Sequence, residues 1–374
     1  MADTRITKEE IIALAHANGF EDVGFTSAEP FDTHRTFLEG RQEEYRWAEE
    51  KGLALMDGTD PKNILKGAKT VIVLMEVYVR HSYPRAMENH FGRCYLNDDR
   101  VTKDGLSKRI WGFREALTAR SMKTKCPFNL PHRVAAARAG MGTFGKNCLF
   151  YSNNVARQSS WVLPIAIVVD QEFEPDVPTV EMGCPDFCKN ACIAACPTRA
   201  LRGNGTINPQ KCISYLTYFG EGLTPENLRE PMGLMVYGCD RCQNVCPRNG
   251  PWLAKELPVN PKVVAKAPDF DLVRLLHMDK PYFESKIWPH MFYMSPDEIW
   301  RWKMNVARAM GNTHDRAFVP ELIKAFKENS DHRVTAMIAW SLGKLGGKAA
   351  RSALEEFRLK ANGPLLEEIT TALG

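Results

Sequence analysis

Cys184-Pro-Asp-Phe-Cys-Lys-Asn-Ala-Cys-Ile-Ala-Ala-Cys-Pro197 places four cysteines at every fourth position, with a proline behind the last. A second group ends the same way: Cys212 stands apart, and Cys239-Asp-Arg-Cys-Gln-Asn-Val-Cys-Pro247 again closes on Cys-Pro. Iron needs thiolates at the corners of a cubane. A tight loop supplies three corners, and in two-cluster modules the fourth comes from the other group. On that logic Cys184, Cys188 and Cys192 with Cys246 hold one 4Fe–4S cluster. Cys212, Cys239 and Cys242 with Cys196 hold a second, which makes the module an electron relay. The alternative is a pair of structural zinc sites with four cysteines each, but zinc needs neither the trailing prolines nor exchanged ligands. The first run has three-residue gaps where the common pattern has gaps of two, so its loop must be wider and another ligand assignment stays open.

Around this module the chain is an ordinary globular one of 374 residues, 44% hydrophobic and 25% charged. That length allows two or more domains and a sizeable core. The first residues, Met1-Ala-Asp-Thr-Arg5, hold no apolar targeting segment and no twin arginine. No apolar run approaches the ~18 residues of a membrane helix. The expected location is the cytoplasm, where thiols stay reduced, so the eleven cysteines point to metal and not to disulfides. The net charge of +4 does not by itself argue for nucleic acid. Residues 299–374 nevertheless carry 12 Lys plus Arg against 8 Asp plus Glu, a weak sign of an acidic or phosphate-bearing partner, with a solvated helical surface as the plainer reading.

Thr7-Lys-Glu-Glu10 reads as a capping box opening a helix that ends at Asn18-Gly19. Phe20 to Phe25, Lys69 to Val79 and Trp161 to Val169 read as strands, the latter two apolar enough for burial on both faces of a sheet. Ser107 to Ser121 and Leu130 to Ala139 read as helices. Residues 1–175 are expected to form an α/β domain, and 176–250 a ferredoxin-like module held by metal. Residues 251–296, rich in Pro and aromatics, are expected to connect it to a helical tail, 297–374. In that tail Val306-Ala307 and Met310-Gly311 recur as Ile338-Ala339 and Leu342-Gly343, a HEAT-like period of about two units. So short an array must dock on the rest of the chain; an unspecialised pair of helical hairpins is the plainer alternative.

Ala139-Gly-Met-Gly-Thr-Phe-Gly-Lys-Asn147 contains a GxGxxG. As a dinucleotide fingerprint it lacks the preceding strand, and as a phosphate loop it fails at Asn147, where a hydroxyl should stand. What survives is close backbone approach at Gly140, Gly142 and Gly145, to a large ligand or merely within a tight turn. Cys94, Cys126 and Cys148 are singletons; Cys94 and Cys148 are expected to be inert and buried.

Arg138 to Asn147, Ala195-Cys-Pro-Thr-Arg-Ala-Leu201, Lys211-Cys-Ile-Ser-Tyr-Leu-Thr217 and Tyr237-Gly-Cys-Asp-Arg-Cys-Gln243 together resemble the epoxyqueuosine reductases and their relatives the reductive dehalogenases. The resemblance runs over nearly the whole chain. It implies a cobalamin-type N-terminal domain, with Arg138, Gly140, Gly142, Gly145, Lys146 and Asn147 in the corrinoid pocket, and a low-potential donor of ferredoxin or flavodoxin type. It also puts tRNA among the candidate partners. This sequence departs from the family at several points. Cys126 stands where the family has its proton-donating aspartate, Thr143 where a tryptophan is usual, and Asp98-Asp-Arg-Val-Thr102 replaces an Asp-Tyr-His stretch. Cys126 is then the candidate catalytic proton donor, with His132 a second. The expected function is a cobalamin-dependent iron–sulfur reductase acting on a substrate other than epoxyqueuosine. The alternative is an electron-transfer protein with no substrate chemistry of its own. An exported, membrane-associated dehalogenase is disfavoured by the missing signal.

Overall fold

Strand Thr70–Val77 buries every one of its residues, because it lies between two apolar layers. The computed structural model describes residues 6–179 and 181–374. It divides into two compact units, the first built from the chain up to Arg80, Lys103–Pro209 and Arg241–Glu256. Its strands are β1 (Asp22–Ser27), β2 (Thr70–Val77), β3 (Thr124–Lys125), β4 (Gly142–Phe144), β5 (Phe150–Ser152) and β6 (Val162–Val169). The main sheet has the order β1-β2-β6-β3 and is antiparallel throughout, with Ile72 opposite Ile167.

Alternation of side chains along a strand sorts residues between the two layers. Val71, Val73, Met75 and Val77 with Ala166 and Val168 face one layer, where helix His132–Arg138 supplies Ala135, Ala136 and Ala137. Ile72 and Leu74 with Ile165, Ile167 and Val169 face the other. There helix Lys8–Ala17 contributes Ile11 and Ala15, and helix Leu106–Thr118 contributes Phe113 and Leu117. The Thr7/Glu10 capping box is present as the sequence indicates. Each fully buried aliphatic side chain contributes about 1.5–3 kcal/mol, so the sheet sustains itself. β4 and β5 form a separate hairpin.

The second unit comprises His81–Thr102, Gln210–Asp240 and Leu257–Gly374. Its HEAT-like helices, Ile299–Asn312, Val319–Glu328, His332–Leu345, Lys348–Arg358 and Gly363–Leu373, share one apolar core with Phe91, Val236 and Tyr237. The 32-residue echo has a packing reason. A Cβ on Gly311 would stand 2.9 Å from the Ser341 side chain, and one on Gly343 would stand 2.8 Å from Ala372. Each glycine lets successive helices cross closely. Helix Ile299–Asn312 also holds the segment before the second cysteine group. Asn305 Nδ2 donates to the carbonyls of Thr217 at 2.8 Å and Val236 at 3.1 Å. The buried Arg308 donates to Gly233 at 2.7 Å and also to Met235. The Pro- and aromatic-rich stretch after Leu257 is part of this core and more than a connection: Leu275, Leu276, Phe283, Ile287 and Met291 are fully buried. Its helices are short and begin at the capping side chains Asn260, Asp271 and Asp279, which is why no long apolar period marks them. Among the described residues no helix is long and apolar enough to cross a membrane.

Candidate metal centre

The first cysteine run makes room for itself with unusual backbone. Asp186–Cys188 is a single tight turn, Lys189 and Asn190 follow with φ of 45° and 61°, and helix Ala191–Ala194 carries Cys192. Two successive left-handed residues take up the extra length of the three-residue gap. On the partner side, helix Arg241–Asn244 precedes Cys246 and is anchored by Asn249. The Asn249 side chain accepts from Ser160 N–H at 2.8 Å and donates to the Gln243 carbonyl at 2.9 Å.

A small recess is lined by Cys184, Cys188, Cys192 and Cys246, together with Asn147 and Tyr151. Burial first, then the neighbouring sulfurs of Cys184, Cys246 and Cys188, push the Cys192 thiol up. Four thiols this close resist ionising together unless cations neutralise them, which is what thiolate-bound iron does. Among the described residues no group of His, Cys, Asp or Glu is arranged to hold a single metal ion. The four cysteines line one recess. Of the other assigned ligands, Cys196 accepts from Ala200 N–H at 3.3 Å. Cys242 belongs to the first unit and Cys212 and Cys239 to the second.

The glycine loop turns out to be the β4–β5 hairpin, and its glycines answer to the protein's own backbone. At Gly140, φ is 69° and a Cβ would stand 2.4 Å from the Val177 carbonyl; at Gly142 it would stand 2.1 Å from that of Tyr151. The hairpin is stapled to the cysteine run: Gly183 N–H donates to Phe144 O at 3.0 Å, and Thr143 Oγ1 donates to Glu181 O. Its turn forms a wall of the recess. Lys146 N–H donates to Cys184 Sγ at 3.2 Å and the Tyr151 hydroxyl to Cys246 Sγ at 3.1 Å. Lys146 Nζ reaches Asn190 Oδ1 at 2.8 Å. Arg248 lies over the Tyr151 ring at 4.7 Å and donates to Gly183 O at 2.7 Å. Sequence reading missed Tyr151 and Arg248. The one signal was that Arg248 directly follows the Cys-Pro ending.

The remaining candidates lie elsewhere. Arg138 stacks on Phe31 at 3.8 Å and donates to Thr26 Oγ1 and the carbonyls of Ser27, Glu29 and Pro30, tying down the end of β1. Cys126 packs against the apolar layer that contains Phe113, and burial pushes its thiol up to about 11. His132 Nδ1 accepts from Ala166 N–H at 2.8 Å and its Nε2 donates to Pro127 O at 3.0 Å. Burial lowers this imidazole to about 4. Cys148 sits in the hairpin turn with φ of 65°. Cys94 is exposed and not buried as expected, because the short helix Arg93–Leu96 turns Leu96 inward in its place.

Residues 186–249 match the 4Fe-4S double cluster binding domain, a span that starts two residues after Cys184 and takes in the other seven assigned ligands; residues 294–374 match HEAT repeats. The chain is 30% identical to the epoxyqueuosine reductase of Listeria monocytogenes over 99% of this chain and 97% of that one. It is 29% identical to that of Bacillus subtilis over 93% and 90%. Among solved structures, an epoxyqueuosine reductase with a tRNA-Tyr epoxyqueuosine-modified stem loop aligns with a TM-score of 0.80 at 27% identity, over 98% of this chain and 97% of that one. A Bacillus subtilis structure described as having its catalytic aspartate loop swung out of the active site aligns with a TM-score of 0.79 at 26% identity, covering 98% of both. With relationship at this level along its whole length, the chain belongs to the epoxyqueuosine reductase family.

Proposed function

We propose that this protein is a cytoplasmic reductase that accepts single electrons from a low-potential ferredoxin- or flavodoxin-type donor and passes them through two 4Fe–4S clusters to epoxyqueuosine in tRNA. The observation that carries the reading is correspondence over 99% of this chain and 97% of a curated relative, cluster module and helical tail included. The thiol-lined recess supports Cys184, Cys188, Cys192 and Cys246 as ligands of the first cluster. Cys196, Cys212, Cys239 and Cys242 are proposed for the second on their spacing and on the double-cluster match. The same reading assigns 1–175 to the α/β domain, 176–250 to the cluster module and 297–374 to the tail, with 251–296 joining them and packed into the tail's core from Val263 onward. The expectation of a different substrate rested on departures such as Cys126. No relative or structural neighbour described above supports one, so that expectation is dropped and epoxyqueuosine is the substrate proposed.

Cobalamin belongs to this reading through the family resemblance alone. The residues first assigned to it do not fit the role. Arg138 is committed to the end of β1, Gly140 and Gly142 back onto protein carbonyls, and Lys146 and Asn147 turn to the thiol recess.

A second reading, an electron carrier without substrate chemistry, is favoured by one observation. Burial pushes the Cys126 thiol up to about 11, which makes it a poor acid for a step near neutrality. Anaerobic reconstitution with and without added cobalamin, followed by an iron and cobalt count and turnover of an epoxyqueuosine-containing tRNA stem loop, separates the two. About eight irons with conversion to the reduced nucleoside supports the enzyme. Full iron without conversion under either condition leaves the carrier.

A further inference from the structure

We infer that the β4–β5 hairpin sets the reduction potential of the cluster held by Cys246, with Tyr151 as the tuning residue. The inference rests on the ligand assignment proposed above and adds a role for the glycine loop that neither the corrinoid nor the nucleotide reading supplies.

Asn147 has its amide orientation fixed, because Oδ1 accepts from Leu149 N–H at 3.3 Å and Nδ2 donates to the Cys242 carbonyl at 3.5 Å. The same Nδ2 donates to the Tyr151 phenol oxygen at 2.8 Å. A phenol has one proton to give. With its oxygen already accepting from Asn147, that proton is directed at Cys246 Sγ, 3.1 Å away. Tyr151 is only 2% exposed, so bulk water does not compete for it. From the same turn, Lys146 N–H reaches Cys184 Sγ. One hairpin thus donates to two of the four sulfurs lining the recess.

Hydrogen bonds to cluster sulfurs are among the levers that set the potential. Each draws charge from a thiolate and favours the reduced, more negative state. One electron enters, supplied in the test by dithionite, and the phenol keeps its proton throughout. The close packing at Gly142 and Gly145 is then what holds the tyrosine in place: a Cβ on Gly145 would stand 2.6 Å from the Tyr151 ring.

The test is an EPR-monitored redox titration of the reconstituted full-length protein and its Tyr151→Phe variant, which keeps the ring and deletes the O–H. One of the two cluster signals is expected to titrate at lower potential, its reduced-to-oxidised ratio at fixed potential falling between twofold and tenfold, where tenfold is about 59 mV for one electron. The other signal should not move. Unchanged potentials for both, with full iron, overturn the inference. If Tyr151→Phe fails to hold its iron, the reduced wild-type protein is compared in H2O and D2O by proton ENDOR. Two exchangeable protons coupled to one cluster are expected, from Lys146 and Tyr151, and fewer than two overturn it. Cys246→Ala tests the underlying assignment separately, since retention of all eight irons there sinks the ligand reading itself.

Discussion

Two neighbouring parts of the first unit are held together by different forces. β2 and β6 alternate their side chains into two apolar layers, and nearly every residue is shut off from water. Between Glu181 and Arg199, by contrast, only Cys192 and Thr198 are buried. The sheet has apolar area to offset the entropy of ordering its chain, while the cysteine run has little beyond its thiols and a few hydrogen bonds to the hairpin. The lesson is that one unit contains a part that folds by burial and a part that depends on metal, and the two should fail separately.

Iron removal is the strongest way to break that comparison. Metal–thiolate bonding in small sites supplies on the order of 10 kcal/mol of local folding energy. Anaerobic chelation should therefore expose the amides of 184–199 to rapid hydrogen exchange while those of β2 and β6 stay protected. Simultaneous loss of protection in the sheet would show that the two parts are one cooperative body. The converse experiment is Ile167→Ala, which cuts a fully buried side chain opposite Ile72. It should cost about 2–5 kcal/mol in chemical denaturation and leave the iron content of the folded protein unchanged.

The same contrast explains what the sequence disclosed. The sheet was legible because β2 and β6 are nearly unbroken apolar runs, the mark of strands buried on both faces, and the four recess cysteines were legible because they fall in two close-spaced runs that each end in Cys-Pro. The glycine loop was not. GxGxxG marks close backbone approach, but sequence alone does not say whether a ligand or a neighbouring strand does the approaching. Here Val177 and Tyr151 do. Tyr151 carries no signal of its own, because its partner Cys246 is far off in the chain. The helices after Leu257 were hidden for another reason: each is too short to show a period, and their prolines sit in first turns where they are harmless.

A smaller effect probes the packing side of the comparison through pH. His132 joins the helix His132–Arg138 to β6 as a neutral imidazole, lowered by burial to about 4, against about 6.5 in an unfolded chain. Between those values the unfolded state binds the proton and the folded state does not. Stability should therefore fall as pH drops from about 6.5 towards 4, by up to about 3 kcal/mol from this group, and be level above that window. His132→Leu should flatten this part of the profile in urea titrations at a series of pH values. A slope that persists unaltered would place the titration elsewhere.

The smallest expected effect sharpens the metal side. Lys146 was first assigned to cofactor binding, but what it offers the recess is its backbone N–H to Cys184 Sγ. The ammonium reaches out to Asn190 in an exposed contact. A backbone donor survives any change of side chain short of proline, and an exposed polar contact contributes within about 0.5 kcal/mol. Lys146→Ala should thus keep full iron and nearly the wild-type cluster potential, where Tyr151→Phe shifts it. Were Lys146→Ala to lower the potential as much as Tyr151→Phe and to lose that effect in high salt, the ammonium charge would be acting on the cluster through solvent. The hairpin's influence would then be electrostatic and not a matter of where its protons point.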